Sequence, residues 1–167
     1  MSVFDLKGAV RRAEARLSGG RVRARRSDVG RSRFDARVAA RLTELLAGYR
    51  KPPVPALLAE LQRFCREHGV RCPSRAAVYA FMARAPCPIY SARELPPNAR
   101  EVLYNLGADA AVPGHQLAFY CFNYGGVEAM SFAAGLPWLC LYQAGRMRGW
   151  RSRSRGLLEA ARRARRA

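Results

Sequence analysis

Lysine is nearly absent from this chain. Of its 30 basic residues only Lys7 and Lys51 are lysine, and just 12 acidic residues oppose them, leaving a net charge of +18 over 167 residues. Arginine in place of lysine reflects the base composition of a genome as readily as selection for guanidinium chemistry, so the charge itself carries the argument. Long apolar runs are also missing. No stretch approaches the ~20 consecutive apolar residues of a membrane span. The opening segment, MSVFDLKGAVRRAEARLSGG, has no apolar core of a secretory signal. Its Asp5 and Glu14 argue against an organelle transit peptide. The expectation is a cytoplasmic, nucleoid-associated protein with no membrane partner.

Cysteine pairing motifs are absent. Cys65, Cys72, Cys87, Cys121 and Cys140 are odd in number and contain no Cys-x-x-Cys. A zinc site built from Cys65, His68, Cys72 and Cys87 matches no zinc-module spacing, so reduced buried thiols are expected and no metal or cofactor is. No phosphate-cradling glycine loop and no nucleophile elbow occur. Asp109, Glu94, Glu101 and Glu128 are scattered, and His115 has no evident partner for acid–base work. The chain reads as a non-enzyme. No internal repeat or long heptad run appears.

What is present is segregated. Residues 1–33 carry ten basic and three acidic residues, residues 34–147 twelve and eight, and residues 148–167 eight and one. A nearly balanced body lies between two cationic arms, a pattern typical of tails that grip nucleic acid. The first arm, with SGGRVRARRSDVGRSR, shows no persistent apolar period beyond a short helix over residues 3–17.

The body reads as helices. Phe34, Val38, Leu42, Leu45, Leu46 and Tyr49 form the stripe of an amphipathic helix over residues 34–50. Residues 54–68 repeat it, with Leu57, Leu58, Leu61, Phe64 and Cys65 on one face and Glu60, Arg63, Arg66 and Glu67 on the other. Pro55 suits the first turn and Gly69 the position after the last. Ser74 predicts an N-cap. The helix it opens turns Val78, Phe81 and Met82 inward and Arg75, Ala76, Tyr79, Ala80 and Arg84 outward. Ile89 and Tyr90 read as extended. A further helix is expected over residues 97–106, with Val102, Leu103 and Leu106 as its apolar face. The run from Leu117 to Phe122 has the length of a buried strand. Two helices broken at Gly135-Leu136-Pro137 come next. A last helix is expected to start at a Ser154 cap, with Leu157, Leu158 and Ala161 facing in.

Helix, glycine turn, capped helix is what a helix-turn-helix requires: a bracing helix, then a second that offers its outward N-terminal residues to the major groove. Arg75 is placed to pair with a guanine. Residues 54–84 resemble the helix-turn-helix segments of DNA-binding regulators and of transposase and integrase N-terminal domains. They carry about three more residues between Gly69 and Val78 than the tight form of the motif. APCPIYSARELPP is the place for a small wing. LPPNAREVLYNL is similar to the segment after the winged helix in type IV antitoxin regulators. These resemblances imply a DNA-binding transcriptional or antitoxin-like regulator.

Phe119, Tyr120, Phe122, Tyr124, Phe132, Trp138, Tyr142 and Trp150 crowd the C-terminal half. They read as core, as a platform on which bases stack, with Tyr124, Tyr142 and Trp150 as its candidates, or as a homodimer or protein-partner surface. The fold class expected is mainly α, a possibly winged helix-turn-helix with a small aromatic-rich α(+β) region behind it. The expected divisions are a basic arm (1–33), a helical domain (34–106), the aromatic region (107–150) and a basic helix or tail (151–167). Arg75 and Tyr79, on the helix capped by Ser74, are the candidates for reading sequence. Arg66, Arg71 and Arg84 are the candidates for phosphate contact beside them. Arg25, Arg26, Arg151 and Arg153 are the phosphate candidates of the arms. An RNA-binding or ribonucleoprotein role and a protein–protein adaptor are the alternative functions.

Overall fold

A computed structural model of the chain describes residues 34–165. Helix α1, Ala36–Leu46, starts where the Asp35 carboxylate accepts the Arg37 N–H at 2.9 Å. Val38, Leu42 and Leu46, spaced by four, are buried along one face. Helix α2, Val54–Glu67, buries Leu57, Leu61 and Cys65 and packs on α1. Both stripes merge with Val78 and Met82 of helix α3, Arg75–Met82, in one apolar cluster. Each leucine fully withdrawn from water there contributes roughly 1.5–3 kcal/mol.

The ribbon β1, Ile89–Ser91, and β2, Ala111–Pro113, is antiparallel with Tyr90 opposite Val112. A 3₁₀ turn, Ala92–Glu94, and helix α4, Pro97–Glu101, lie between its strands. The ribbon therefore closes over 19 intervening residues (92–110), unlike a tight wing hairpin. The helix expected over residues 97–106 stops at Glu101. Beyond it the amides of Leu103 and Leu106 bond three residues back, to Arg100 and Leu103. That tighter winding buries Val102 and Leu103 but leaves Leu106 44% exposed.

Residues 117–122 are not a strand. They lie within helix α5, Gly114–Tyr124, in which Leu117, Ala118, Phe119, Cys121, Phe122 and Asn123 are all buried. The helix is apolar around most of its circumference because helices α6, Val127–Ala134, α7, Trp138–Ala144, and α8, Ser152–Arg163, all pack on it. A helix buried on most sides has little amphipathic period to read. The break at Gly135-Leu136-Pro137 separates α6 from α7 as expected.

The last helix begins at Ser152, ahead of the expected Ser154 cap, and Ser154 is buried inside it. The chain is delivered into this helix from elsewhere: Gly149 takes a left-handed φ of 87°, and the Asn123 side chain accepts the Arg151 N–H at 3.1 Å. The inward face is then Ser154, Leu158 and half-buried Ala161, while Leu157 is 40% exposed.

Helix α7 joins the two apolar clusters of the body. Trp138 and Leu139 belong to the α1–α3 cluster, and Cys140, Leu141 and Ala144 to the α5 cluster. Gln143 completes the junction. Its buried amide donates to the carbonyls of Met82 (3.0 Å) and Ala85 (2.7 Å), capping the end of α3 from across the fold. Buried Arg165 forms a second clasp. It donates to the carbonyls of Leu136 (2.6 Å) and Tyr49 (3.3 Å) and lies 3.9 Å from the Tyr49 ring centroid. No described helix is long and apolar enough to cross a membrane.

Candidate nucleic-acid interface

The connection between α2 and α3 is residues 68–74. Gly69 adopts φ 62°, the Val70 amide bonds the Cys65 carbonyl at 3.0 Å, and the Gly69 amide reaches the Arg66 carbonyl at 3.4 Å. This is the paired 6→1 and 5→2 closure of a Schellman turn, which needs the left-handed residue that glycine supplies. Val70 is thereby tucked against the α1–α3 cluster. The chain then runs extended to Ser74, whose hydroxyl accepts the Ala77 N–H at 3.2 Å and starts α3. The α2 and α3 backbones approach each other less closely than those of α1 and α2, and their contact runs through side chains.

With Val78 and Met82 fixed inward, the 3.6-residue period turns Arg75, Ala76, Tyr79, Ala80 and Arg84 to solvent. The Arg75 guanidinium lies 5.8 Å from the Tyr79 ring centroid, so the two side chains are presented together. Arg66, in the last turn of α2, and Arg71, in the connection that follows, are both exposed.

The arginines of this half differ sharply in their partners. Arg37 pairs with Asp35, Arg41 with Glu44 and with Glu60 at 2.7 Å, and Arg63 with Glu60 at 2.6 Å. Arg41, with Arg63 beside it, holds the Glu60 carboxyl below its ordinary range. By contrast Arg66, Arg71, Arg75 and Arg84 make no salt bridge among the described residues. Residues 68–93 contain no aspartate or glutamate at all. Among the described residues, Arg37, Arg41 and Arg63 are neutralised locally, whereas the cations at the end of α2 and around α3 have no carboxylate partner.

Packing brings to α3 further groups from distant parts of the chain. Lys51, Tyr79, Met82, Trp138, Tyr142 and Arg162 line one cleft of about 100 Å³. Tyr142 stacks on Trp138 with centroids 4.9 Å apart, and the guanidiniums of Arg146 and Arg162 lie 5.9 and 5.7 Å from its ring. Arg162 is partly neutralised by Glu159 at 2.6 Å, while its buried Nε has no hydrogen-bond partner. Lys51 and Arg162 are 111 positions apart in the chain (162 minus 51), too far for a motif to signal them.

The other expected site residues fall elsewhere. Arg151 sits over Tyr124 at 4.8 Å, and Arg153 is exposed in the first turn of α8. Trp150 is held inward, edge-on to Phe119 at 4.9 Å with its Nε1 donating to the Ala144 carbonyl. Arg25 and Arg26 lie outside the described residues. Among the described residues no three His, Cys, Asp or Glu side chains are grouped to hold a metal. The four residues considered for zinc are divided: Cys65 and Cys72 line one open cleft, His68 stacks on Phe64 at 4.0 Å, and Cys87 lines another cleft. Comparison with protein-family models, curated proteins and solved structures finds no match to this chain.

Proposed function

We propose that the chain binds duplex DNA in the cytoplasm as a helix-turn-helix regulator of transcriptional or antitoxin-like kind. In this reading Arg75 and Tyr79 meet base edges, and Arg66, Arg71 and Arg84 meet phosphates. The cationic segments that include Arg25, Arg26, Arg151 and Arg153 add salt-dependent grip. The observation that carries it is the partition of charge: among the described residues Arg66, Arg71, Arg75 and Arg84 make no salt bridge, while Arg37, Arg41 and Arg63 of α1 and α2 do. The Schellman turn at Gly69 and the Ser74 cap support it by fixing which face of α3 is outward.

A matched comparison of arginine-to-alanine variants tests this. Removing Arg66, Arg71 or Arg84 should weaken binding and lower the slope of log affinity against log salt by about 0.9 for each phosphate no longer neutralised. Removing Arg37 or Arg63 should leave affinity nearly unchanged. Arg75→Ala should also cost about 1–3 kcal/mol at one base position and relax discrimination there. Equal losses from both sets would refute the assignment.

The Tyr79–Tyr142 cleft favours a second reading, in which an unpaired RNA or single-strand base enters between aromatic rings flanked by cations. Tyr142→Ala separates the two: it should weaken single-strand binding in that reading and spare duplex binding in the first.

A further inference from the structure

The strongest chemistry outside that surface lies behind α3. An open cleft of about 560 Å³ is lined by Arg84, Cys87, His115, Gln143, Arg146 and Met147. Half-buried Cys87 stands at its edge and packs against the cluster that holds buried Cys140, which lies one turn of α7 from the Gln143 side chain that Cys87 meets. As a neutral thiol Cys87 donates to Gln143 Oε1 at 3.0 Å. The Cys140 thiol and the His115 backbone N–H, in the first turn of α5, both favour the thiolate form of Cys87. Neither Arg84 nor Arg146 makes a salt bridge among the described residues, so both guanidiniums leave the cleft positive. His115 adds a buried Nδ1 with no partner.

We propose that Cys87 and Cys140 form a redox-active dithiol, in which Cys87 reacts with a hydroperoxide and Cys140 resolves the product into a disulfide. The Cys87 thiolate attacks one peroxide oxygen. The O–O bond breaks, an S–O bond forms, and the leaving oxygen takes a proton and departs as water or an alcohol. The Cys140 sulfur then attacks the Cys87 sulfur as its thiol proton is lost. The S–O bond breaks and that proton leaves with the hydroxide as water. Two thiols are oxidised by two electrons and one peroxide is reduced.

The division of roles follows from the surroundings. The Cys140 contact, with the His115 N–H, holds the Cys87 thiol below its ordinary range against the opposing effect of burial. Cys140, beside that thiolate and buried, is held above its own. A partly exposed thiolate at a helix N-terminus among cations is the reactive kind, and an adjacent buried thiol is the resolving kind. Cys65 and Cys72 are a second neighbouring pair, in an open cleft beside Arg66, and are the internal rival to this pair. Cys72 donates to the Pro73 carbonyl at 3.7 Å, and burial pushes the Cys65 thiol up. Cys121 is pushed up to about 12 by burial and serves as an internal reference. The inference does not rest on nucleic-acid binding.

The full chain, fully reduced and then given one equivalent of hydrogen peroxide, should lose two hydrogens. Peptide mapping without reductant should show a Cys87–Cys140 link. Cys140→Ser should stop at a sulfenic acid that dimedone traps on Cys87, and Cys87→Ser should abolish both products. In the reduced wild-type chain, Cys87 should alkylate about tenfold faster than Cys72 at neutral pH. A link between Cys65 and Cys72 instead, no Cys87–Cys140 link, or alkylation of Cys72 as fast as Cys87 would overturn the proposal. The mapping and alkylation use the wild-type chain, so a misfolded variant does not blunt the test.

Discussion

Replacing Gln143 with leucine keeps the volume of a buried side chain and removes its amide. Two things are lost. The amide no longer bonds the carbonyls of Met82 and Ala85, which end α3, and it no longer accepts from Cys87. Two neutral hydrogen bonds are worth about 1 kcal/mol each net, and a buried carbonyl left unpaired adds about 1–3 kcal/mol more. Relaxation at the helix end and the apolar gain of leucine offset part of that. The expected loss is about 3 kcal/mol, which for a domain of this size lowers Tm by roughly 6–12 °C. Urea unfolding read by circular dichroism and by the fluorescence of Trp138 and Trp150 measures it. Gln143→Glu should cost at least as much, because a carboxylate cannot donate to either carbonyl. A change below about 0.5 kcal/mol in Gln143→Leu would refute the capping of α3 by α7.

Local geometry sets three further outcomes. At Gly125 an added Cβ would lie 2.6 Å from both the Ala129 Cβ and the Cys121 carbonyl oxygen, so Gly125→Ala should destabilise by about 1–3 kcal/mol, while Gly48→Ala, with open space around it, should stay within about 0.5 kcal/mol in the same denaturation assay. Leu158→Ala empties a fully buried position between α8 and α5 and should cost about 2–5 kcal/mol; a smaller loss would mean that α8 is not seated there. Glu60 titrates below its ordinary value of 4.5, chiefly because of Arg41, so it stabilises the fold above that value and loses the contribution as pH falls through the lower folded value. Glu60→Gln should therefore flatten the pH dependence of stability below about pH 5, and an unchanged acid limb would remove Glu60 from the account.

Legibility along the chain tracks exposure. Helices α1, α2 and α3 each keep a solvent face, so their periods can be read, and Gly69 and Ser74 mark their ends through backbone preferences that hold locally. Helix α5 reads wrongly as a strand because burial on most sides erases its period. Ser154 reads wrongly as a cap because the start of α8 is set by Asn123, 28 residues from Arg151, and by the turn at Gly149. The candidate surface divides in the same way. The outward positions of Arg75 and Tyr79 follow from helix geometry alone. Arg162 reaches Tyr79 only because α8 folds back, and Cys87 comes to the helix of Cys140, 53 positions on (140 minus 87), because α7 does.

The central claim is that the unpaired arginines around α3 face duplex DNA. Fluorescence anisotropy of the full chain, titrated against a duplex, its single strand and a hairpin RNA at several salt concentrations, tests it most directly. The account predicts tightest binding to the duplex, with a linear salt dependence and a residue of affinity at high salt that Arg75→Ala removes. Preference for the single strand or the hairpin, or equal binding to all three that vanishes with salt, would contradict it.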